Sequence, residues 1–199
     1  MLVHKRYTYA YADFVHGRYA RRNIRALMAL FNAMTTDELL DIWSLDFNRM
    51  WYRIWLTNEL RELYNKKHAK YQSAFMKDGG QELRGLLRQA RGRGALWWEL
   101  PKGKPLSSRE SNLNCAVRET GEETGIGKQD YQILPDSRRT YSYIHMGVRY
   151  VNIFYAALAA PRLARSATGE DRRPHVSLKS IEHITEVSEV RWMTIEEIR

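Results

Sequence analysis

The chain has 199 residues with 44% hydrophobic content, a formal net charge of +9 and one cysteine, Cys115. This length holds one full domain and a smaller companion, and the single cysteine excludes an internal disulfide and suits a reducing setting. No apolar run approaches the roughly 18 residues of a membrane span, and the N-terminus lacks the apolar region of a secretory signal. We therefore expect a cytoplasmic protein without a membrane span.

Positive charge is concentrated in the N-terminal half. Residues 1–95 contain 17 Lys and Arg against 9 Asp and Glu, a net charge of +8, whereas residues 96–199 contain 15 against 14, a net charge of +1. This asymmetry predicts a surface for a polyanion, with RNA as the leading candidate, and solvated helix faces are the alternative. The clusters at residues 18–22 and 66–70 suit either interpretation.

Residues 1–20 open with an apolar and aromatic run, which predicts the first strand of a sheet and a following turn. Residues 21–90 are predicted to be helical almost throughout, because apolar residues recur at helical spacing. The first and last predicted helices cover Arg21–Met34 and Gln81–Ala90. A second helix follows a capping box formed by Thr35 and Glu38. A third helix is capped by Asn58, continues through Met76 and ends at Gly79–Gly80. A glycine-rich loop follows, in which Arg91 and Arg93 are candidates for phosphate contact.

From Ala95 the pattern changes to short strands. Residues 95–100 predict a strand that leads into the basic glycine turn of residues 101–105. Residues 161–174 are predicted to be an exposed loop, and the last seven residues begin a helix. The other predicted strands are Tyr131–Leu134, Thr140–His145, Tyr150–Leu158 and Glu186–Trp192.

The segment from Gly103 to Ile126 carries the strongest chemical signal. Glu119, Glu122 and Glu123 share one face of a predicted helix, where their charges repel each other unless a cation neutralises them. Hard oxygen ligands suit Mg²⁺ or Mn²⁺, and these ions favour a phosphate-bearing substrate. A solvated helix face is the alternative for an isolated cluster of this kind.

Other residues of this segment support the catalytic interpretation. Ser107 and Glu110 have the spacing of a capping box, which predicts a helix that begins near residue 108 or 109. Gly125 offers a left-handed C-cap. Arg118 lies two turns after Glu110, so the two side chains can pair and support the helix. Cys115, on the same helix, is predicted to be a buried structural thiol.

These residues resemble the signature of Nudix hydrolases, in which a Gly, a Glu, an Arg-Glu pair and a Glu-Glu-x-Gly-aliphatic run stand at set spacing. Here they are Gly103, Glu110, Arg118–Glu119 and Glu122–Ile126. Three departures are present: six residues separate the Gly from the first Glu where the family has five, Thr replaces an aliphatic residue at position 120, and Gly stands inside the helix at position 121.

The order of elements predicts an α/β fold, an α/β/α sandwich around a mixed sheet with an α-helical insertion near the N-terminus. We assign residues 1–20 and 91–199 to the catalytic domain and residues 21–90 to a basic, RNA-binding insertion. Beyond the signature, the segments FNAMTTDELL, SLDFNRMWYRIW, WELPKGKP and EVSEVRW resemble the viral Nudix decapping enzymes of large DNA viruses, nearer to the African swine fever virus type than to the poxvirus type.

The resemblance implies hydrolysis of the 5′ cap of mRNA, with release of 7-methyl-GDP and 5′-monophosphate RNA, in the cytoplasm of an infected cell. It implies that Glu119, Glu122 and Glu123, with the backbone carbonyl of Gly103, hold Mg²⁺ or Mn²⁺. Glu123 is one candidate base. In related enzymes a distant Glu assists, and Glu186 best matches that position.

Substrate contacts are also predicted. Lys102 and Lys104 flank the glycine turn and are candidates for the triphosphate or the RNA backbone. The cationic base of the cap stacks on aromatic planes. The candidates for this stacking are Trp97, Trp98, Tyr141 and Tyr143, with Trp51 or Tyr52 from the insertion.

Two other functions remain open. The same signature serves a diphosphoinositol polyphosphate or nucleoside diphosphate-X pyrophosphohydrolase, and a basic surface suits inositol polyphosphates equally well. The second is a non-catalytic RNA-binding module in which Thr120 and Gly121 mark a decayed site, although all three helix carboxylates are present.

Overall fold

The computed structural model describes residues 1–56, 61–145, 148–169, 171–174 and 185–198. The chain forms two compact units: a helical unit, Lys5–Trp97, and an α/β unit made of Met1–His4 and Trp98–Arg199. The boundaries differ from the predicted ones, since residues 5–20 and 91–97 belong to the helical unit. The predicted cap at Asn58 lies outside the described residues.

The helical unit is built from short amphipathic helices. The capping box of Thr35 and Glu38 forms as predicted, and the loop at residues 91–94 is pinned by a bridge between Thr35 and Arg93. Its described helices are α1 (Tyr9–Val15), α2 (Ile24–Asn32), α3 (Thr36–Trp43), α4 (Phe47–Trp55), α5 (Arg61–Phe75) and α6 (Gln81–Gln89).

Helix α1 corrects the prediction of a turn after the first strand. The Thr8 side chain caps it by accepting a hydrogen bond from the Tyr11 N–H. Tyr11 and Phe14 are fully buried in an aromatic core, in which the Phe14 ring lies 5.6 Å from the rings of both Phe31 and Phe75. This burial assigns residues 5–20 to the helical unit.

Two buried acids of α3 are satisfied inside this core. Glu38 accepts hydrogen bonds from the N–H and the hydroxyl of Thr8, at 2.6 and 2.8 Å, and from the Thr35 N–H at 2.9 Å. Asp41 accepts one from the Tyr11 hydroxyl at 2.8 Å and forms an ion pair with Arg53 at 3.0 Å. These contacts fasten the N-terminus of α1 to α3.

The α/β unit contains one long helix and several short strands, which confirms the α/β class. Its described elements are β1 (Leu2–Lys5), β2 (Trp98–Glu99), α7 (Asn112–Thr124), β3 (Tyr131–Ile133), β4 (Arg139–His145), β5 (Val148–Phe154), β6 (Ala157–Ala159), α8 (Pro161–Ala164), β7 (Val187–Arg191) and α9 (Ile195–Ile198). The described strands pair in three sheets instead of one, ordered β2-β1-β7, β3-β6 and β4-β5.

Two predictions for this unit need correction. The predicted strand Tyr150–Leu158 is divided, because β5 pairs antiparallel with β4 while β6 pairs antiparallel with β3. The predicted loop after residue 160 contains the single turn α8 and a 3₁₀ turn at Arg165–Ala167. Pro161 is compatible with the first position of a helix, but four residues are too few to show a helical period. Within the described residues, no helix combines the length and apolar composition that a membrane crossing requires.

Candidate active site

The predicted carboxylates lie on α7, which begins later than predicted. Ser111 is its N-cap, and the Ser111 hydroxyl accepts a hydrogen bond from the Asn114 N–H at 3.1 Å. The predicted capping box of Ser107 and Glu110 is therefore wrong. Both lie before the first helical turn, and the Glu110 carboxylate is drawn to other donors, including the Leu106 N–H at 2.7 Å.

Arg118 connects the acids of the site. Its guanidinium contacts a Glu110 oxygen at 2.9 Å, a Glu119 oxygen at 2.8 Å and a Glu122 oxygen at 2.6 Å. It also donates a hydrogen bond to the backbone carbonyl of Lys104 at 2.9 Å. The predicted pairing with Glu110 is confirmed, and one cation ties α7 to the loop before it.

The glycine turn lies against the same acids. The Lys102 N–H donates to a Glu123 carboxylate oxygen at 2.9 Å, and Glu123 is only 3% exposed. A Cβ atom on Gly103 would lie 2.0 Å from the Glu119 carboxyl carbon, so no side chain fits at that position. The requirement for glycine is therefore a close approach of backbone to carboxylate.

Burial and charge shift the pKa values of two acids of the site in opposite directions. Burial raises the pKa of Glu119, the nearby Glu122 and Glu123 carboxylates add to this, and Arg118 opposes it. The hydrogen bond from Arg118 is the main cause of a lowered pKa for the Glu110 carboxyl, and the same bond raises the pKa of Arg118. A further cation beside Glu119 would therefore stabilise its charged form.

Two of the three departures from the Nudix signature lie within α7 and are accommodated there. The Thr120 hydroxyl donates to the Ala116 carbonyl at 2.7 Å, so it is satisfied within the helix. A Cβ on Gly121 would meet only a backbone oxygen at 3.7 Å, an ordinary contact. Gly125 ends the helix in the predicted left-handed conformation, with φ of 69°.

A cleft of about 110 Å³ lies beside the glycine turn. Its lining includes Lys102, Gly103 and Cys115, together with Asn152 and Phe154 of β5. Cys115 is buried, as predicted, and burial raises the pKa of its thiol. The thiol is therefore a structural group in the wall of the cleft.

The chemistry of the acidic set fits a divalent cation, although the described residues hold no group of three His, Cys, Asp or Glu side chains arranged as a ready metal site. Arg118 instead contacts Glu119 and Glu122, while Glu123 accepts a hydrogen bond from Lys102. Three carboxylates beside a glycine turn are hard oxygen donors of the kind that Mg²⁺ and Mn²⁺ prefer. The residues therefore fit a divalent cation by the type of donor atom that they offer.

The aromatic candidates have different surroundings. Trp98 packs against His4 with ring centroids 4.8 Å apart, and the Arg191 guanidinium lies 5.4 Å from its ring centre. Trp97 is 65% exposed and belongs to the helical unit. Tyr141 and Tyr143 are exposed on β4.

The remaining candidates are placed as follows. Arg91 and Arg93 are exposed in the loop after α6, and their backbone N–H groups donate to Asn32. Glu186 is exposed immediately before β7.

In the α/β unit the structure brings together the residues of the glycine turn and of α7. These are Gly103, Glu110, Arg118, Glu119, Glu122, Glu123 and both turn lysines.

Sequence reasoning missed two supporting groups. Glu99 pairs with the Lys102 ammonium, which holds that side chain over the start of the turn. The spacing of three residues between them was the available signal. The Leu106 N–H that binds Glu110 carried no signal, because backbone donors do not depend on residue type.

Comparison with known proteins identifies the family of the chain. The model of the NUDIX domain matches residues 68–199. The chain therefore belongs to the Nudix family and is a hydrolase of the pyrophosphohydrolase class. Nudix hydrolases generally use divalent cations.

The chain is also similar along its whole length to viral proteins. The mRNA-decapping protein g5R of a Kenyan pig isolate of African swine fever virus is 41% identical over 201 residues, which cover 100% of this chain and 79% of that protein. The same protein from a Namibian warthog isolate is 40% identical over 201 residues, with the same coverage. A protein of Acanthamoeba polyphaga mimivirus is 24% identical over 226 residues, which cover 99% of this chain and 58% of that protein.

Proposed function

We propose that this chain removes the 5′ cap of mRNA, hydrolysing the triphosphate bridge of the cap with one water to give 7-methyl-GDP and 5′-monophosphate RNA. The observation that carries the proposal is the α7 carboxylate set against Gly103. It stands in a chain that is 41% identical over its whole length to a protein named for mRNA decapping. The infected host cytoplasm, where capped mRNA is found, is the proposed place of action.

We assign the metal ligands to Glu119, Glu122, Glu123 and the backbone carbonyl of Gly103, with Mg²⁺ or Mn²⁺ as the ion. When bound, the metal neutralises charge on the phosphates and lowers the pKa of bound water. Arg118 contacts two of these carboxylates, and a bound divalent cation would share them with it. Its contact with Glu110 would still anchor the helix.

A base must accept the proton of the attacking water. Glu123 is one candidate, but its carboxylate accepts a hydrogen bond from the Lys102 N–H, and a metal-bound carboxylate is a weakened base. We therefore propose Glu186, which is exposed before β7. Glu186→Gln should lower kcat while RNA binding is unchanged; an unchanged kcat contradicts this role.

The turn lysines are proposed to bind the triphosphate. Lys104 is exposed, and its backbone carbonyl is held by Arg118. The Lys102 ammonium pairs with Glu99, so its contribution to phosphate binding requires exchange of that partner. Lys104→Ala should therefore raise KM more than Lys102→Ala does.

The basic helical unit is proposed to bind the RNA chain through only part of its cations. Arg21 pairs with Glu82, and Lys70 donates to the Gly17 carbonyl, so these two have structural roles. Arg22 and Arg91 are among the exposed cations of the same unit. Charge reversal at exposed positions such as these should weaken RNA binding and reduce its salt dependence.

Stacking of the cap base is proposed for Trp97, whose ring is exposed, whereas Trp98 packs against His4 and Arg191. The other exposed candidates, Tyr141 and Tyr143, lie on β4 of the α/β unit. Trp97→Ala should therefore raise KM for capped RNA more than Trp98→Ala does, provided that both variants fold.

The decisive experiment is product analysis on RNA labelled in its cap, with Mg²⁺ and Mn²⁺ compared. Release of 7-methyl-GDP by the wild type and its loss in Glu122→Gln support the proposal. Turnover of a diphosphoinositol polyphosphate without release of 7-methyl-GDP contradicts it. RNA binding without turnover of either substrate would instead indicate a non-catalytic module.

A further inference from the structure

The hairpin of β4 and β5 carries three exposed tyrosines in a row. Tyr143 lies opposite Tyr150 in the register, and their rings stack with centroids 5.2 Å apart and planes 11° apart. The Tyr141 ring continues the row, 5.9 Å from Tyr143. Since residues two apart on a strand share a face, all three stand on one face of the hairpin, which we call the tyrosine ladder.

The ladder is open to solvent. Tyr141 is 61% exposed, Tyr143 41% and Tyr150 39%. Cross-strand aromatic pairs stabilise a hairpin, but that role does not require ring surface to remain exposed. The exposed rings are therefore available for a ligand with flat surfaces of its own.

Charge indicates which ligand this is. Residues 137–169 contain Arg138, Arg139, Arg149, Arg162 and Arg165 and no Asp or Glu. Arg139 begins β4 on the same face as the ladder, because it lies two residues before Tyr141. The Arg139 guanidinium donates to the backbone carbonyls of Asp136 and Arg138. Aromatic rings beside an arginine, in a stretch without acidic residues, match single-stranded nucleic acid, in which bases stack while phosphates contact cations.

The strand β5 also reaches the cleft beside the glycine turn. Asn152, which lies opposite Tyr141 in the register, lines that cleft together with its neighbours Val151 and Ile153 and with Gly103. A chain that leaves the cleft along β5 therefore meets Tyr141 first. The cap presents one base, whereas a row of three rings offers surface for several consecutive ones.

We propose that the tyrosine ladder binds the unpaired nucleotides that follow the cap, by stacking and without sequence preference. The inference rests on the proposed function for the identity of the substrate. It assigns the substrate class as RNA with a single-stranded 5′ segment, and it predicts weaker binding of RNA that is paired up to its 5′ end.

The test measures binding of a 5′-monophosphate, single-stranded RNA of about 12 nucleotides and of its duplex, in the full chain at fixed salt. Tyr141→Leu/Tyr143→Leu should weaken single-strand binding about 10-fold and leave duplex binding unchanged. Tyr141→Phe/Tyr143→Phe should bind like the wild type, because the rings remain. Ile144→Thr, which keeps a β-branched side chain on the opposite face, is the matched control.

Several outcomes would overturn the inference. Wild-type affinity in the Leu variant, or equal loss in the Leu and Phe variants, excludes stacking. A Leu change that weakens only a cap dinucleotide assigns the rings to the cap. A Leu change that halves the solution mass assigns them to contact between two copies. If the double variant unfolds, Tyr141→Leu alone, at the exposed end of the row, provides the same comparison.

Failure of the proposed function has a separate signature. If the wild type releases no 7-methyl-GDP from capped RNA, the proposed reaction is contradicted whatever the binding data show. If the wild type decaps and the Leu variant binds and decaps like it, only the ladder is contradicted.

Discussion

Helices α3 and α7 each carry two acids three residues apart, and the two pairs have different partners. Glu38 and Asp41 of α3 are 0% and 3% exposed, and they accept hydrogen bonds from backbone and hydroxyl groups of the core. The side chains of Glu119 and Glu122 are 14% and 32% exposed and share Arg118. The first pair is buried among core donors, with Arg49 and Arg53 also paired to Asp41, and we interpret it as structural. The second pair shares Arg118 beside the glycine turn, and we interpret it as the pair available for chemistry.

The surroundings of the two helices differ in the same way. The core around α3 is continuous and rich in aromatic residues, with Tyr11, Phe14 and Trp51 among its buried members. Among the described residues of the α/β unit, the cluster of buried hydrophobic side chains contains Val3, Val187 and Val190. A Glu→Gln change in α7 should therefore lower activity without lowering stability, whereas the same change in α3 should lower stability.

Glu119→Gln should have the largest effect on catalysis. It removes one anionic ligand of the proposed metal site, and we expect kcat to fall by at least about 100-fold. Stability should not decrease, because the change removes like-charge repulsion from α7 and relieves a carboxyl whose charge is penalised by burial. Cap release and thermal unfolding measured on one preparation check both expectations. A fully active variant would show that Glu119 is not a ligand.

Glu38→Gln should have the largest effect on stability. Both Glu38 oxygens accept a backbone N–H, so the amide nitrogen of Gln must face a donor whichever way it turns. We expect a loss of about 2–3 kcal/mol, measured by urea unfolding. Glu82→Gln is the matched control, since Glu82 pairs with Arg21 at the surface and its loss should cost less than about 0.5 kcal/mol. Equal losses in the two variants would contradict the buried network.

Much of α7 could be predicted from the sequence, because the signals are local. Carboxylate spacing, the Gly125 cap and the pairing of Arg118 with Glu110 depend on residues within the helix or two turns away. The start of α7 could not be predicted. Ser107 and Ser111 are equally good caps, and the choice depends on contacts of Glu110 that only the folded chain provides.

Tertiary contacts explain the other errors. The turn predicted after the first strand is instead the helix Tyr9–Val15, whose Tyr11 and Phe14 side chains are buried in the core of the helical unit. The division of Tyr150–Leu158 into β5 and β6 depends on their different partner strands. The tyrosine ladder arises from register, which brings Tyr150 opposite Tyr143 and has no equivalent in the sequence.

Two glycines of the α/β unit test whether the site depends on close packing. Gly103→Ala places a methyl group 2.0 Å from the Glu119 carboxyl carbon, so either the turn or the carboxylate must move. We expect kcat to fall about 10-fold or more in a folded protein. Gly121→Ala, with its nearest contact at 3.7 Å, should keep activity and raise stability by up to about 1 kcal/mol. Similar rates for both variants would contradict a tight site.

The smallest expected effect is a pH dependence of stability that arises in the helical unit. Burial lowers the pKa of His16, whose ring packs edge-on against Trp55. The positive charges of Arg18 and Lys67 lower this pKa further, and the negative charge of Asp13 raises it. The unfolded chain, with a His pKa of about 6.5, therefore binds the proton more readily than the folded one. The stability that this group contributes is present above that pKa and decreases as the pH falls toward the folded value.

His16→Gln removes this dependence. Urea unfolding at about pH 7.5 and 5.5 should show that acidification lowers the free energy of unfolding less in the variant than in the wild type. The difference between the two proteins should be less than about 1 kcal/mol, because His16 is only half-buried. The opposite sign would mean that Asp13 dominates the surroundings of the ring. Cap release at neutral pH should be the same in both proteins, because His16 lies in the helical unit and the carboxylates of α7 lie in the α/β unit.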